Sequence, residues 1–358
     1  MLAPSHPKEG TRDERDAELT GSGQTTAAPK KLVIGASGFL GSHVTRQLVD
    51  AGENVRVMLR RTSSTKAIDD LAVERCYGDV FDDAALLEAM AGCDVVYYCV
   101  VDARIWLRDP TPLFRTNVEG LRHALEAAAQ SGLRKFVFTS TTGTMAISDG
   151  TPVTEDDPHN WRESGGYIQS RVAAEKLVMQ YVRDRRLPAV ALCISTTYGP
   201  GDWQPTPHGS LIARVAAGRF PFYFGFSSEV VGIQDAARAM ILAAERGRVG
   251  ERYIISDRYM STREVHQIAA EAAGVKPPRI KLPLTLLYLA AHTNDLAARL
   301  LRRDLPFAVV ALRAAELMSR LDHSKAEREL GWSPEPVEDS IRKAAQFFTN
   351  QRSYRRKR

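Results

Sequence analysis

A glycine turn near the N-terminus closes one apolar, strand-like run and opens a helix-like one, and whatever this chain folds into must be built around that junction. The segment reads Lys31-Leu-Val-Ile-Gly35-Ala-Ser37-Gly38-Phe39-Leu40-Gly41-Ser42. Leu32, Val33 and Ile34 predict a buried strand, and Ser42 through Val49 the start of a helix. A glycine-rich strand-to-helix turn lets the backbone approach a pyrophosphate. The helix N-terminus then offers unpaired N–H groups and a favourable dipole to the negative charge. The spacing is G-x-x-G-x-x-G, which differs from the more familiar G-x-G-x-x-G. Glycines also collect in plain tight turns, but at the first strand–helix junction of an alternating pattern they point to a nucleotide site.

That alternation runs to about Ile194. Val55 to Leu59 and Val73 to Tyr77 predict the second and third strands, and Ala84 to Ala91 a helix. Asp94 to Val101 predicts the fourth strand, and Leu113 to Gln130 one long helix stopped by Gly132. Lys135 to Ser140 is the fifth strand, Tyr167 to Arg186 a helix, and Ala189 to Ile194 the sixth strand. Such a pattern predicts an α/β fold, a Rossmann-type doubly wound parallel sheet binding its ligand beyond the carboxyl ends of the strands. After Gly199-Pro200-Gly201 the pattern loosens. Val230 to Asp235 and Arg252 to Ser256 read as short strands, and the Pro-punctuated helical remainder as a smaller C-terminal substrate-binding lobe.

The end of the second strand indicates which dinucleotide. About 20 residues past the last glycine, an NAD-type site carries an Asp or Glu for the ribose 2′-hydroxyl. This sequence has Arg60-Arg61 there, followed by Thr62-Ser63-Ser64. A guanidinium with nearby hydroxyls suits a 2′-phosphate and cannot accept a bond from a hydroxyl, so NADP is expected over NAD. The expected organisation is a disordered extension over 1–30, an NADP-binding domain over 31–198 to which 227–256 returns, a substrate lobe over 199–345, and a basic tail over 346–358.

Charge and composition exclude several classes. Of the net +5, five charges sit at Arg352, Arg355, Arg356, Lys357 and Arg358, leaving a formally neutral body with no nucleic-acid-binding face. That tail is expected to be disordered and solvated. Residues 1–30 lack the apolar core of a signal peptide, and no run of 18 apolar residues predicts a membrane span. Leu282 to Ala291 is too short to cross a bilayer. It is expected to pack over a substrate pocket, with an interfacial helix carrying Arg299, Arg302 and Arg303 as the alternative. Cys76, Cys93, Cys99 and Cys193 form no C-x-x-C pair, which predicts free thiols in a reducing, cytoplasmic setting. No His/Cys/carboxylate cluster has metal-ligand spacing, so no metal is expected. His43, His123 and His266 fall in helical stretches and read as structural.

Six motifs in order resemble the extended short-chain dehydrogenase/reductase family, in its dihydroflavonol reductase, 3β-hydroxysteroid dehydrogenase and sugar-nucleotide epimerase branch. They are Gly35-x-x-Gly38-x-x-Gly41, Gly78-Asp79-Val80, Asn117-Val-Glu-Gly120, Thr139-Ser140-Thr141, Tyr167-x-x-Ser170-Arg171 and Tyr198-Gly199-Pro200-Gly201-Asp202. The resemblance covers about residues 31–345. It implies phosphate contacts from Gly35, Ser37, Gly38, Phe39, Leu40 and Gly41, with Arg60, Asp79 and Val80 on the adenosine side. It implies that Cys99, Val100, Thr139, Ile194 and Thr197 surround the rest of the cofactor. Tyr167 is the implied acid/base, Thr141 the hydroxyl that holds the substrate oxygen, with its neighbours Thr139, Ser140 and Thr142 as alternatives, and Arg171 the nicotinamide-ribose contact.

Two positions depart from the family pattern. Arg171 stands where the family has lysine four residues after the tyrosine. It keeps the charge but, staying protonated, is a poorer proton relay. Lys176, nine residues from Tyr167, faces elsewhere at about 100° per residue. Ile194 replaces a proline against the nicotinamide, and an apolar residue still fits a flat ring. For the pocket, Asp102, Arg104, Trp106, Trp203, Gln204, His208 and Ser210 are candidates. Phe220 to Phe226 and the Leu282 run favour an apolar hydroxy or keto substrate, or else form lobe core. The expected function is an NADP-dependent oxidoreductase acting on a hydrophobic small molecule, with a peripheral membrane contact and a homodimer left open. A sugar-nucleotide epimerase or dehydratase, or a non-catalytic NADP-binding regulator, remains the alternative.

Overall fold

The computed structural model describes residues 29–148, 150–161, 164–301, 304–305 and 309–356. Residues 1–28 of the expected extension, together with Lys357 and Arg358, lie outside them. The strands are β1 (Lys30–Ile34), β2 (Val55–Leu59), β3 (Glu74–Tyr77), β4 (Cys93–Tyr98), β5 (Lys135–Thr141), β6 (Ala189–Ile194), β7 (Thr196–Tyr198), β8 (Phe222–Tyr223), β9 (Ser227–Gly232), β10 (Arg252–Ile255), β11 (Arg258–Ser261) and β12 (Ile280–Lys281). The first helices are α1 (Phe39–Asp50), α2 (Asp83–Met90), α3 (Thr111–Phe114), α4 (Gly120–Gln130), α5 (Gly165–Arg185) and α6 (Pro207–Ala216). They are followed by α7 (Ile233–Arg246), α8 (Thr262–Ala272), α9 (Leu284–Leu301), α10 (Val309–Glu316), α11 (Ser324–Leu330) and α12 (Val337–Arg356).

Seven parallel strands form the main sheet in the order β3-β2-β1-β4-β5-β6-β10. The chain winds outward from β1 to β3, crosses back, and winds outward again from β4. Loops leaving β1 and β4 therefore diverge, and a crevice opens between them. In register, Ile34 pairs with Tyr98, so Gly35 and Cys99 emerge side by side at that crevice.

Both faces of the sheet are covered, which explains why its strands read as continuous apolar runs. Val33, Val57, Val95, Tyr97, Val137, Val190 and Leu192 pack against α1, α7 and α11. Leu32, Ile34, Val96, Tyr98, Phe136 and Phe138 pack against α2, α4 and α5 on the opposite face. Arg56, in mid-strand, is the polar exception. It pairs with Glu74 at 2.8 Å and donates to the carbonyls of Ala89 (2.8 Å) and Ala91 (2.7 Å) at the C-terminus of α2.

Several local expectations shift. The predicted Leu113–Gln130 helix is interrupted by a π-helical turn over Arg115–Glu119. The fourth strand ends at Tyr98, which leaves Cys99 to Val101 in the crevice loop. Of the two short strands expected after Gly199, only β10 joins the main sheet. β9 leaves it to pair with β7 and β11. The lobe core is built by α6, α8 and α12, where Val337, Ile341, Ala344, Ala345 and Phe348 present one apolar stripe. The segment expected to be a disordered tail instead continues α12 to Arg356.

Candidate active site

The β1–α1 turn requires two of its glycines for its own geometry and spares the third. Gly35 has φ +90°, and a Cβ there would lie 2.9 Å from the Cys99 carbonyl carbon. At Gly41 a Cβ would fall 2.3 Å from the Gly35 oxygen. At Gly38, exposed at the start of α1, a Cβ would meet only the Gly35 oxygen, at 3.2 Å. Its missing side chain keeps the outer surface of the turn open. No side chain caps α1 and no acid occupies its first turn, so the N–H groups at Phe39 and Leu40 and the helix dipole face that surface unneutralised. Ser37, half-buried, flanks it.

At the end of β2, Arg60 is exposed and its guanidinium has no partner among the described residues, whereas Arg61 lies over the Tyr77 ring at 5.5 Å. After β3, Asp79 accepts from the Phe81 N–H at 3.2 Å, and Val80 rests on Gly120, where a Cβ would be 2.8 Å from its Cγ2. Cys99 donates its N–H to the Ile34 oxygen at 2.8 Å, and Val100 follows it out of the sheet. Burial pushes the Cys99 thiol up to about 12, so it is neutral and unreactive. Ile194 is buried at the end of β6, and Thr197 in β7 is half-buried.

Helix α5 carries the proton-handling candidates, Tyr167 and Arg171, one turn apart on one face. Arg171 is 1% exposed. Its Nη2 donates to the Thr139 carbonyl, and its guanidinium carbon sits 5.1 Å from the centre of the Phe138 ring. Its Nε and Nη1 are buried without a hydrogen-bond partner. Burial pulls the guanidinium pKa below its ordinary value, opposed by Tyr167, Tyr98 and Glu175 nearby. Unpaired donors on a buried cation cost several kcal/mol in roughly the range that desolvated charges show. Such donors fit the paired hydroxyls of a nicotinamide ribose. The tyrosine turn is steadied by Asn117 in the π-helical turn. Asn117 Nδ2 donates to Ser170 Oγ (3.0 Å) and to the Asp102 carbonyl (3.0 Å), while Ser170 Oγ donates to the Tyr167 carbonyl (2.7 Å). Sequence reasoning quoted Asn117 only as a motif, since its role depends on contacts from three separate segments.

One turn past Arg171, Glu175 lies under the end of β5. It accepts from Ser140 Oγ at 2.5 Å and Thr144 Oγ1 at 3.1 Å, and pairs with Arg252 Nη1 at 2.9 Å. Ser140 is thereby occupied. Thr139 directs its hydroxyl at the sulfurs of Cys99 (3.7 Å) and Met240 (3.8 Å). Thr141 Oγ1 accepts from the Gly143 N–H at 3.3 Å and keeps its own proton free to donate. With Ser140 and Thr139 taken up, Thr141 and Thr142 are left available to a substrate oxygen, and Thr142 is the one that lines the adjoining cleft. The turn behind Thr141 abuts α5, where a Cβ on Gly143 would lie 2.4 Å from Ile168 Cδ1.

A small cleft with room for about one water lies beside this strand end, lined by Thr142, Met145, Ala146, Ile147, Trp161, Leu317, Met318, Ser319, Leu321 and one carboxylate, Glu229. Tyr167 and Ile147 pack on the same small core as Trp161, Ile168 and Ala314. Glu229 accepts from Ser256 Oγ and from the Leu321 N–H (2.9 Å), and burial raises its pKa. Nothing about its neighbours in sequence marks it as a site residue.

The pocket residues expected from sequence lie elsewhere. Asp102 is bonded to Arg104 at 2.5 Å, Trp203 stands edge-on to Phe347, and His208 is exposed, edge-on to Tyr198. Gln204 is exposed, and Ser210 Oγ donates to the Pro205 carbonyl at 3.4 Å. Trp106 does not line the cleft. Phe220, Phe222, Phe224 and Phe226 make ring contacts in series, with Phe220 and Phe224 against His266, whose pKa burial lowers to about 4. All four are half-buried, and Phe220 packs against the lobe core.

The family model for NAD dependent epimerase/dehydratase matches residues 31–256. "Sterol demethylase protein B" of Methylococcus capsulatus is 30% identical over 88% of this chain and 97% of its own length. The 4-hydroxy-2-methyl-3-oxo-4-farnesyl-3,4-dihydroquinoline-1-oxide ketoreductase of Stigmatella aurantiaca is 30% identical over 85% of this chain and 92% of its own. Among solved structures, gox2253 superposes with a TM-score of 0.79 at 33% identity, covering 90% of this chain and 98% of that one. The UDP-glucose 4-epimerase of Thermotoga maritima shares the fold, with a TM-score of 0.72 at 22% identity, over 90% and 99% of the two chains.

A Cβ at Gly38 would meet only the Gly35 oxygen, at 3.2 Å, which a shift of a few tenths of an ångström relieves, so Gly38→Val should fold with a near-wild-type circular dichroism spectrum. Nucleotide affinity in calorimetric titration should fall by more than about tenfold, or roughly 1.4 kcal/mol. Unchanged affinity would place the phosphates elsewhere.

Proposed function

The chain belongs to the NAD-dependent epimerase/dehydratase family and is an NAD(P)-dependent oxidoreductase of the extended short-chain dehydrogenase/reductase type; on that premise we propose that it is an NADP-dependent enzyme that interconverts a ketone and a secondary alcohol on a hydrophobic small molecule. What supports the substrate class is the apolar lining (Met145, Ala146, Ile147, Trp161, Leu317 and Met318) of the small cleft that begins at Thr142, which has room for about one water and has to widen to admit a substrate. The printed names of two relatives, one a sterol protein and the other a ketoreductase of a farnesyl-bearing ring, agree with an apolar ligand.

The dinucleotide, when bound, supplies or accepts the hydride. The chain's own residues do the rest. Thr141 donates a hydrogen bond to the substrate oxygen, and Tyr167 gives that oxygen a proton in reduction or takes it in oxidation. The fixed positive charge of Arg171 lies one turn from Tyr167 on the same helix face. Arg171 cannot pass a proton on, so it orients while Tyr167 exchanges its proton with solvent. Arg60, exposed and unpaired among the described residues, supports recognition of a 2′-phosphate.

A turnover screen of NADPH oxidation over ketosteroids, polyprenyl ketones, dihydroflavonols and nucleotide sugars tests the substrate class. Turnover confined to nucleotide sugars would overturn it. Arg60→Asp should weaken NADP binding more than about tenfold and leave NAD binding little changed, as calorimetry with both nucleotides would read. A wild-type preference for NAD would refute the cofactor assignment. Tyr167→Phe should lower kcat by ~10²–10⁴ without loss of NADP affinity. Single-turnover hydride transfer at wild-type rate in that variant would remove Tyr167 from the chemistry.

A further inference from the structure

Helix α9 turns its leucines away from the protein. Its buried positions are Leu287, Ala291 and Ala298, a face of mostly small side chains. On the opposite side Leu286, Leu289, Leu296 and Leu300 are 55%, 61%, 58% and 78% exposed. At 3.6 residues per turn these four lie within roughly 80° of one another, with Thr293 between them. The sequence reading placed this run over a substrate pocket with an interfacial helix as the alternative, and the structure puts its larger apolar face in solvent.

The exposure is concentrated. Of thirteen exposed large apolar side chains among the described residues, eight fall between Ile280 and Leu317, where scattered single residues would be unremarkable. The segment leading into α9 is cationic. Lys276, Arg279 and Lys281 are exposed and have no ion pair among the described residues. From 276 to 301 the sequence has one carboxylate, Asp295, which accepts from the Val309 N–H at 3.4 Å and so faces α10.

The patch also adjoins the catalytic end. α9 rests on α10, where Tyr288 donates to the Glu316 carboxylate. α10 rests on the start of α5, with Val310 against Gly165 and Ala314 buried with Ile168. Leu317, just past α10, is 41% exposed and lines the cleft.

We propose that α9 and the Lys276–Lys281 segment before it dock on the surface of an anionic phospholipid bilayer, leucines at the acyl boundary and cations among the headgroups. An amphipathic helix with an apolar face and flanking cations binds this way by area and by charge. No helix among the described residues is long and apolar enough to cross a membrane, so the contact is a surface one. A second copy is the weaker occupant, since a two-fold interface sets the same patch against itself and brings like cations together. Residues 1–28 contain only Met1, Leu2 and Leu19 as large apolar side chains, too few to cover the stripe.

Co-sedimentation with vesicles tests this, comparing phosphatidylcholine alone with phosphatidylcholine containing one-third phosphatidylglycerol. The full chain should bind the anionic vesicles, more weakly as salt rises, and bind the neutral ones poorly. Leu289→Glu with Leu296→Glu should cut partitioning by at least about tenfold while NADP affinity, read by calorimetry, stays at the wild-type value. Should that variant fail to fold, Lys276→Glu, Arg279→Glu and Lys281→Glu together must abolish the preference for anionic vesicles. No binding by the wild type, equal binding by a folded variant, or a solution dimer that the leucine variant splits into monomers would each overturn the proposal. It is independent of the substrate reading, which stands or falls by the turnover screen.

Discussion

A buried guanidinium and, one turn on, a buried carboxylate tie α5 to the sheet. Arg171 joins α5 to the end of β5 through the Thr139 carbonyl and the Phe138 ring, and it does so as a charge almost wholly out of water. Two of its donor groups are left without protein partners. A fold optimised only for stability would satisfy them or replace the residue with an apolar one. The arrangement makes sense if a ligand with adjacent acceptors completes it. Tyr167 lies one turn before it, and Thr141 ends the strand it is bonded to.

Support for this charge is spread along α5. Glu175, the next residue on that face, is taken up by Ser140, Thr144 and Arg252. It therefore holds the strand end in place without drawing Arg171 away from the crevice. Arg252 in turn donates to the Glu155 carbonyl at 2.9 Å and anchors the loop beyond β5 to β10. From the other side, Asn117 fixes the turn that carries Tyr167. The π-helical turn around Asn117 widens the helix just where the side chain must reach both Asp102 and Ser170, a common place for such turns.

What the sequence made legible was what depends on local pattern. Apolar runs and glycine positions placed all six early strands and the β1–α1 turn, because a fully covered parallel sheet leaves a strong, short-range signature. The Tyr167–Arg171 pair was legible because four-residue spacing stacks side chains on a helix. Glu229 was not, since it reaches the cleft through β9 and meets a segment some 90 residues later. The Phe220–Phe226 aromatics and the α9 leucines read alike as apolar, yet the phenylalanines are half-buried against one another and the leucines face solvent. Composition fixes that a face is apolar, and only tertiary packing decides which way it points.

The central claim is that Arg171 is held ready for the cofactor at a cost to the free protein. Thermal unfolding of wild type and Arg171→Met, each with and without saturating NADPH, tests it directly. Methionine fills the volume and removes the uncompensated charge, so the ligand-free variant should melt at the wild-type temperature or above it, while most of the NADPH-induced stabilisation is lost. A variant that melts clearly lower without ligand and still gains the full increment from NADPH would show Arg171 to be a structural residue and contradict the account.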